Sequence, residues 1–394
     1  MNTIDGGICA VKGVQAWGIK SGKMGLGVIV AEGNAAGMFT RNKVIAAPLV
    51  VTREHLQKHG KLSALIVNSG NANAFTGEQG LADAREMARM LADALSIGPE
   101  HVAVASTGVI GRPLDTKWIA SNLPVVVASL KADHEGSRAA ARSIMTTDTT
   151  MKEIAIELDS GIRIGAIAKG AGMIEPNMGT MLCFAYTDAK VPSALLHECL
   201  TRAVDKSFNM VVVDGDTSTN DMVLLTATGK SGIQPVTAEF QQGLDHVLIE
   251  LGKMIAADGE GATRLIEANV TGALSDEDAR LAAKAIVRSP LVKSAVFGKD
   301  PNWGRVTAAV GYSGAEVDQH KLSLAFSDGR NTIELVSRGE VLGANDNALS
   351  LLGKIMGGSK VDIVVDLGLG KSSATAWGCD LTYDYVRINA DYTT

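Results

Sequence analysis

Lys169-Gly170-Ala171-Gly172-Met173-Ile174-Glu175-Pro176-Asn177-Met178-Gly179-Thr180-Met181-Leu182 is the stretch from which the rest of the chain is read. Before it, Arg163-Ile164-Gly165-Ala166-Ile167-Ala168 has the composition of a strand. After it, Met181-Leu182-Cys183-Phe184-Ala185-Tyr186 is apolar enough to be a buried one. A tight linker between two strands is therefore expected, loosened by its glycines and stiffened by Pro176. At its exit Gly179 places an unhindered carbonyl carbon directly before the hydroxyl of Thr180. If the linker is strained, that hydroxyl can attack the carbonyl, shift the acyl group from nitrogen to oxygen and leave an ester that water hydrolyses. Thr180 would then begin a new chain. Its α-amine, with an ordinary pKa of about 7.7 to 8.0, can serve as general base for its own hydroxyl without any histidine.

Composition sets the outer bounds. The chain has 394 residues, 46% hydrophobic and 20% charged, with 43 Gly and 9 Pro, the profile of an α/β protein large enough for more than one domain. Lys and Arg number 37 against 43 Asp and Glu, a net charge of -6 with the signs interspersed, so no electrostatic footprint for nucleic acid or anionic lipid is present. Cys9, Cys183, Cys199 and Cys379 are widely spaced, without a CxxC pair, and read as reduced core thiols. The first residues carry neither a positive region nor an apolar core, and no run of about 20 apolar residues occurs, which makes a cytoplasmic location the expectation and a membrane partner unexpected.

In chain order, Leu26–Ala31 reads as a strand ending in a turn at Glu32-Gly33-Asn34, and Leu62–Val67 as a buried strand running into the Asx-rich turn Asn68-Ser69-Gly70-Asn71-Ala72-Asn73-Ala74. Leu81–Leu95 is the clearest amphipathic helix. A strand His101–Ala105 delivers Ser106-Thr107-Gly108-Val109-Ile110-Gly111, where a backbone N–H and a hydroxyl can converge on one point, as an oxyanion hole requires. A mostly helical region, Leu114 to about Ser143, leads to Thr146-Thr147-Asp148-Thr149, and a hairpin over Glu153–Ala168 then reaches Lys169. Beyond the linker come a helix over Ser193–Lys206, the acidic loop Asp214–Asp221, a helix over Phe240–Met254, and Asp258-Gly259-Glu260-Gly261-Ala262-Thr263-Arg264. Glu260, flanked by two glycines, is poorly shielded and suited to a cationic amine. Ser275 is read as the N-cap of a helix near a domain boundary.

Several familiar sites fail on spacing. Asp214, Asp216 and Asp221 lack the glycine and glutamate of an EF-hand, so no metal is expected. Gly368-Leu369-Gly370-Lys371-Ser372 has Val365 where a phosphate loop needs its first glycine, and Ala374–Tyr385 reads as strand where that loop needs a helix. No GxSxG elbow or complete dinucleotide fingerprint is present, and the seven histidines form no ligand pair, so no cofactor is expected.

As a whole, Lys-Gly-x-Gly-Met-Ile, then Pro-Asn-Met, a small residue and Thr-Met-Leu resembles the self-cleavage site of the glutamate N-acetyltransferase family, also called ornithine acetyltransferases, of arginine biosynthesis. Gly179 stands where that family usually has Ala. The resemblance extends to Met38–Leu49, with a proline-broken strand at Pro48, and to the Asn68–Ala74 block. It continues through Ser106–Gly111, Thr146–Thr149, Asp258–Arg264 and Ser289–Arg305, and closes with Asn389-Ala390-Asp391-Tyr392-Thr393-Thr394. It implies a layered α/β fold of αββα type, cut into an α chain 1–179 and a β chain 180–394 that stay associated, with about 275–394 forming a smaller C-terminal domain. It further implies that Thr180 is the nucleophile, that Thr107 and Gly108 hold the oxyanion, and that Thr146, Lys169, Glu260, Asn389 and Thr394 contact substrate. The implied reaction is ping-pong, from N2-acetylornithine to glutamate through acetyl-Thr180, with Lys169 near the α-amine and an α2β2 assembly. Acetyl-CoA as a second donor stays open, since some members use it and others do not. Two other classes also stay open: a self-processing aminopeptidase-type hydrolase, a group whose nucleophile is serine, and a non-catalytic binding protein with an intact chain.

Overall fold

The computed structural model describes residues 1–175, 181–343 and 345–391. Gly179, Thr180 and Thr394, three of the residues singled out above, lie outside the described residues.

The strands flanking the linker form as expected, over Arg163–Lys169 and Leu182–Thr187, and pair antiparallel with Lys169 opposite Leu182. Nearly every residue in both is buried, which is possible only if both faces of the sheet are covered. The alternation of a strand decides which side chain meets which cover. Ile164, Ala166, Ala168, Cys183 and Ala185 pack with the helices Ser193–Lys206 and Thr237–Ala257, through residues such as Leu200, Phe240 and Leu244. Ile167, Leu182, Phe184 and Tyr186 face the opposite way.

What they face is the other half of the same sheet. The nine-stranded sheet runs, in spatial order, Asn2–Thr3, Lys152–Glu157, Arg163–Lys169, Leu182–Thr187, Met222–Ala227, Met24–Phe39, Lys61–Asn71 and Val102–Val109, with Gln15–Ser21 alongside the first half of Met24–Phe39. Ile29, Ala31, Leu65, Val67, Ala103 and Ala105 share one apolar cluster with Phe184 and Tyr186. The alternate residues Val28, Ala64, Ile66, Val102 and Val104 pack outward against Met87, Leu91, Ile119 and Leu123 of the helices Gly77–Leu95 and Thr116–Ala128. Helix, half-sheet, half-sheet, helix is thus the order of layers. The layered α/β class expected from the sequence is the one found.

The fold-back occurs on the strand Met24–Phe39, and here the structure corrects the turn expected at Glu32-Gly33-Asn34. The strand continues to Phe39, with a register shift between Val30 and Gly33, and changes partners on the way. Its first part pairs with Lys61–Asn71 and its last part with Met222–Ala227. Gly33 makes the crossing possible because a Cβ there would stand 2.0 Å from the carbonyl oxygen of Ala227. Two other expectations are corrected, and the mostly helical region is resolved into its parts. Pro48 opens the helix Ala47–His59 instead of breaking a strand, since its missing N–H costs nothing in a first turn. The region Leu114–Ser143 is two helices, Thr116–Ala128 and His134–Ile144. Lys131 leaves the helical path to bridge Ala16, and the Asp133 carboxylate caps the second helix by accepting from Gly136 N at 3.0 Å. Strand character ends at Cys379, and Tyr383–Asp391 is a helix.

A seven-stranded mixed sheet is built from Glu340–Val341, Thr332–Ser337, Ser323–Ser327, Lys360–Asp366, Leu265–Ala273, Ser372–Cys379 and Val211–Val212, in that spatial order. Helix Asp276–Arg288 packs on it, N-capped by Ser275 as expected. Helix Thr237–Ala257 joins the two sheets, since Leu251 and Ile255 belong to the same core cluster as Ile266, Ala268 and Trp377. All four cysteines are free and buried. Among the described residues, no helix is long and apolar enough to cross a membrane.

Candidate functional site

A flat sheet would hold Arg163–Lys169 and Val102–Val109 about 24 Å apart, five spacings of roughly 4.8 Å. In the folded sheet Lys169 Nζ donates to Thr107 Oγ1 at 3.3 Å and to Thr146 Oγ1 at 2.7 Å. The two half-sheets therefore converge at one end, and a cavity opens there. Thr107, Gly108, Thr146, Lys169, Glu260 and Asn389 all line it. So does Met181, the residue after Thr180 in sequence, and Ser218, Thr219, Asn220 and Asp221 close another side.

Local structure explains how each side chain arrives. Thr107 and Gly108 lie near the end of strand Val102–Val109, where the pairing with Gly70 and Asn71 slips. Gly108 adopts φ 132°, and a Cβ on it would stand 2.4 Å from the carbonyl carbon of Gly70, so only glycine fits. Asn220 Nδ2 donates to the carbonyls of Ala72 at 2.6 Å and Ser106 at 2.8 Å, which fastens the acidic loop to this strand end. Asp214 in that loop accepts from Met173 N at 2.6 Å and Ile174 N at 2.7 Å and so grips the start of the linker. Its carboxylate is occupied by backbone donors.

Glu260 enters on the turn after helix Thr237–Ala257, its N–H donating to Ala171 O at 2.8 Å. Its carboxylate accepts from Asn389 Nδ2 at 2.8 Å, carried by the C-terminal helix. That helix is tied down by Thr382 Oγ1 donating to Gly261 O at 2.7 Å and by the Tyr385 hydroxyl donating to Asp214 at 3.3 Å. Gly172 is what allows the carboxylate to come so close, since a Cβ there would lie 2.4 Å from Glu260 Cδ.

The electrostatics of the cavity are set by burial. Burial pushes the Lys169 ammonium below the usual lysine range, against the pull of the Asp148 carboxylate. Asp221 is 1% exposed, and none of its hydrogen bonds to described residues reaches Oδ2. Burial raises its carboxyl well above the usual range, more than the Ser218 and Thr40 hydroxyls and Lys169 offset. The cavity thus sets a buried cation, a carboxyl pushed toward its neutral form and the Glu260 carboxylate around two hydroxyls.

In the sequence Asp221 stands out only within the acidic loop, as a rejected metal ligand, and nothing marks Lys152, which is 1% exposed at the start of strand Lys152–Glu157. A lysine followed by alternating residues reads as an ordinary strand opening, and only the tertiary structure shows that it is enclosed.

The ArgJ family pattern matches residues 11–394. The chain belongs to the ArgJ family. A glutamate N-acetyltransferase of Methanosarcina mazei is 64% identical over 397 residues, covering 100% of both chains. The arginine biosynthesis bifunctional protein ArgJ of Archaeoglobus fulgidus is 50% identical over 387 residues, covering 98% of this chain and 100% of that relative. Among solved structures, the arginine biosynthesis bifunctional protein ArgJ of Bacillus halodurans is similar with a TM-score of 0.50 at 42% identity, over 53% of this chain and 98% of that one.

Proposed function

We infer that this ArgJ chain is a glutamate N-acetyltransferase of arginine biosynthesis, an acyltransferase that moves acetyl from N2-acetylornithine to glutamate. It works after cutting itself between Gly179 and Thr180, with Thr180 as nucleophile. The observation that carries the site assignment is convergence: Thr107, Thr146, Lys169, Glu260 and Asn389 come from five separate segments and line one cavity together with Met181, the neighbour of Thr180 in sequence.

The chemistry follows from those groups. The Thr180 hydroxyl adds to the acetyl carbonyl while its proton passes to the Thr180 α-amine. The oxyanion that forms is stabilised by the Thr107 hydroxyl and the Gly108 N–H. Collapse breaks the C–N bond, the proton goes to the departing ornithine α-amine, and acetyl-Thr180 remains. The α-amine of glutamate then attacks the ester, gives up a proton and leaves as N-acetylglutamate, which regenerates the Thr180 hydroxyl. Glu260 pairs with the cationic tail of ornithine, Asn389 holds the Glu260 carboxylate in place, and Thr146, Lys169 and Thr394 complete the substrate contacts. The similarity to the Bacillus halodurans protein supports the cut: that solved chain is matched over 98% of its length yet spans 53% of this one, as one of two pieces would. An α2β2 assembly in the cytoplasm, with no cofactor, completes the proposal.

The test is a paired assay with acetylornithine, with and without glutamate. Acetylglutamate should form far faster than acetylornithine is hydrolysed. Hydrolysis at the same rate in both would assign the chain to the hydrolase class and overturn the transferase reading.

Gly172→Ala probes the Glu260 assignment. The added methyl meets only the end of a flexible side chain, so folding should be little affected while the carboxylate is displaced. Losing a charge-assisted contact of about 1.5–3 kcal/mol should raise KM for acetylornithine roughly ten- to a hundredfold. An unchanged KM would remove Glu260 from the tail site.

A further inference from the structure

In sequence Asp148 is one member of a Thr-Thr-Asp-Thr run. In the fold it is the hub of the site. Its carboxylate has 0% exposure. Oδ1 accepts from Lys152 Nζ at 2.8 Å and from Gly170 N at 2.6 Å. Oδ2 accepts from Thr146 N at 3.0 Å and lies 4.0 Å from Lys169 Nζ. Lys152 also donates to Asp258 Oδ2 at 2.6 Å, and that carboxylate accepts from Thr149 N at 3.1 Å, two residues ahead of Glu260 in sequence. One buried charge cluster therefore ties together the segments that present Thr146, Lys169 and Glu260.

The geometry at Lys169 gives this cluster a chemical consequence. An ammonium carries three donors and no acceptor. Two of the Lys169 donors go to Thr146 Oγ1 and Thr107 Oγ1. A hydroxyl that accepts from an ammonium keeps its own proton for another partner, and it becomes a stronger donor as it is polarised. Thr107 is held in this state at the wall of the cavity.

We propose that Asp148 is a positioning residue for acetyl transfer: it fixes Lys169 Nζ against Thr107 Oγ1 and so aims the Thr107 hydroxyl proton into the cavity, where the oxyanion develops. The proposal rests on the acyl-transfer reading above. The charged groups facing Lys169 are Asp148 from the loop after helix His134–Ile144, Lys152 from its strand, Glu260 from the turn after helix Thr237–Ala257, and Asp221 from the acidic loop. Lys20, on strand Gln15–Ser21, is also within electrostatic range. Burial drives the Lys169 pKa down, and Asp148 is the strongest influence holding it up. Without Asp148 the ammonium loses its proton at lower pH, and the donor that polarises Thr107 is lost with it.

The experiment compares wild-type and Asp148→Asn protein for acetyl transfer from acetylornithine to glutamate between about pH 6 and about pH 10. In the variant kcat should fall roughly tenfold to a hundredfold near pH 8, approaching the cost of a lost oxyanion donor, with KM within about threefold. The alkaline limb of the kcat profile should also move to lower pH. Adding Lys169→Arg to the variant should abolish that displacement, because a guanidinium does not titrate in this range. Asp148→Asn with Lys152→Met, which removes the buried cation together with the carboxylate, serves if the single variant does not fold. Wild-type protein that transfers no acetyl overturns the acyl-transfer reading itself. Active wild type beside a variant with the same kcat and the same alkaline limb overturns only the role of Asp148. Failure of both variants to fold overturns it as well, by making Asp148 a folding residue.

Discussion

A Thr180→Ala chain should remain one uncut polypeptide of 394 residues, while wild-type protein gives two species that part between Gly179 and Thr180. Intact mass under denaturing conditions separates the cases directly. Cleavage by an N-to-O acyl shift needs a hydroxyl one residue beyond the scissile carbonyl, and alanine supplies none. The same replacement removes the atom that would carry acetyl, so transfer should fall to background even in the folded protein. The cavity should survive: Lys169 holds Thr107 and Thr146, and Asn389 holds Glu260, through contacts that do not involve residue 180. Circular dichroism of the variant should therefore match the wild type. A cut variant, or an uncut wild type, would end the assignment of Thr180.

Lys152→Met should cost more stability than any other single change considered in the described residues. Its ammonium is shared by Asp148 at 2.8 Å and Asp258 at 2.6 Å, and the three side chains are 0%, 0% and 7% exposed. Removing the cation from a buried cluster strands its partners, at a cost of about 3–5 kcal/mol. Methionine fills the space of the alkyl chain, so the loss reads out charge and not a cavity. The effect has a defined pH sense. Burial alone would raise the Asp148 carboxyl, but Lys169, Lys152 and the Gly170 N–H outweigh it and hold the group at about 2, below its ordinary 3.8. A depressed carboxyl contributes stability above its unfolded pKa and loses it as pH falls through the folded value. The gap between wild type and variant in urea unfolding should thus be widest near neutrality and narrow as pH falls from about 4 toward about 2. Equal midpoints at neutral pH would show that the cluster is not stabilising.

How much of this was legible in the sequence depended on whether a feature is local. The two buried strands around the linker, the N-cap at Ser275 and the helix Ser193–Lys206 follow from short-range pattern and appear where they were expected. Glu260, Asn389 and Thr146 were named through resemblance, and the fold places them at one cavity. The strand passing Gly33 was missed because glycine followed by asparagine signals a turn, while the reason for the glycine is the Ala227 carbonyl, nearly two hundred positions away. Tyr383–Tyr385 read as the end of a strand because its alternation of aromatic and charged residues is real, yet it opens the helix Tyr383–Asp391. No residue of that helix is buried, so no core imposes a helical period on it. Lys152 and Asp148 were invisible as a pair for the opposite reason: charged residues are buried only where partners from remote segments meet them, and no local pattern records that.

The folded sheet also governs what a cut can do. Strands Leu182–Thr187 and Met222–Ala227, which follow the linker, are inserted between Arg163–Lys169 and Met24–Phe39, which precede it. Each border is a full ladder of paired residues, Ile164 with Thr187 through Lys169 with Leu182 on one side and Met222 with Phe39 through Ala227 with Asn34 on the other. Hydrolysis of one peptide bond therefore frees two chain ends and no surface. The order of events is fixed as well: strands on both sides of the cut must already be interleaved for Lys169 and Thr107 to meet. On the proposed cut, folding would be the trigger for processing and the severed halves would stay locked like interlaced fingers, since neither half alone carries the complete sheet.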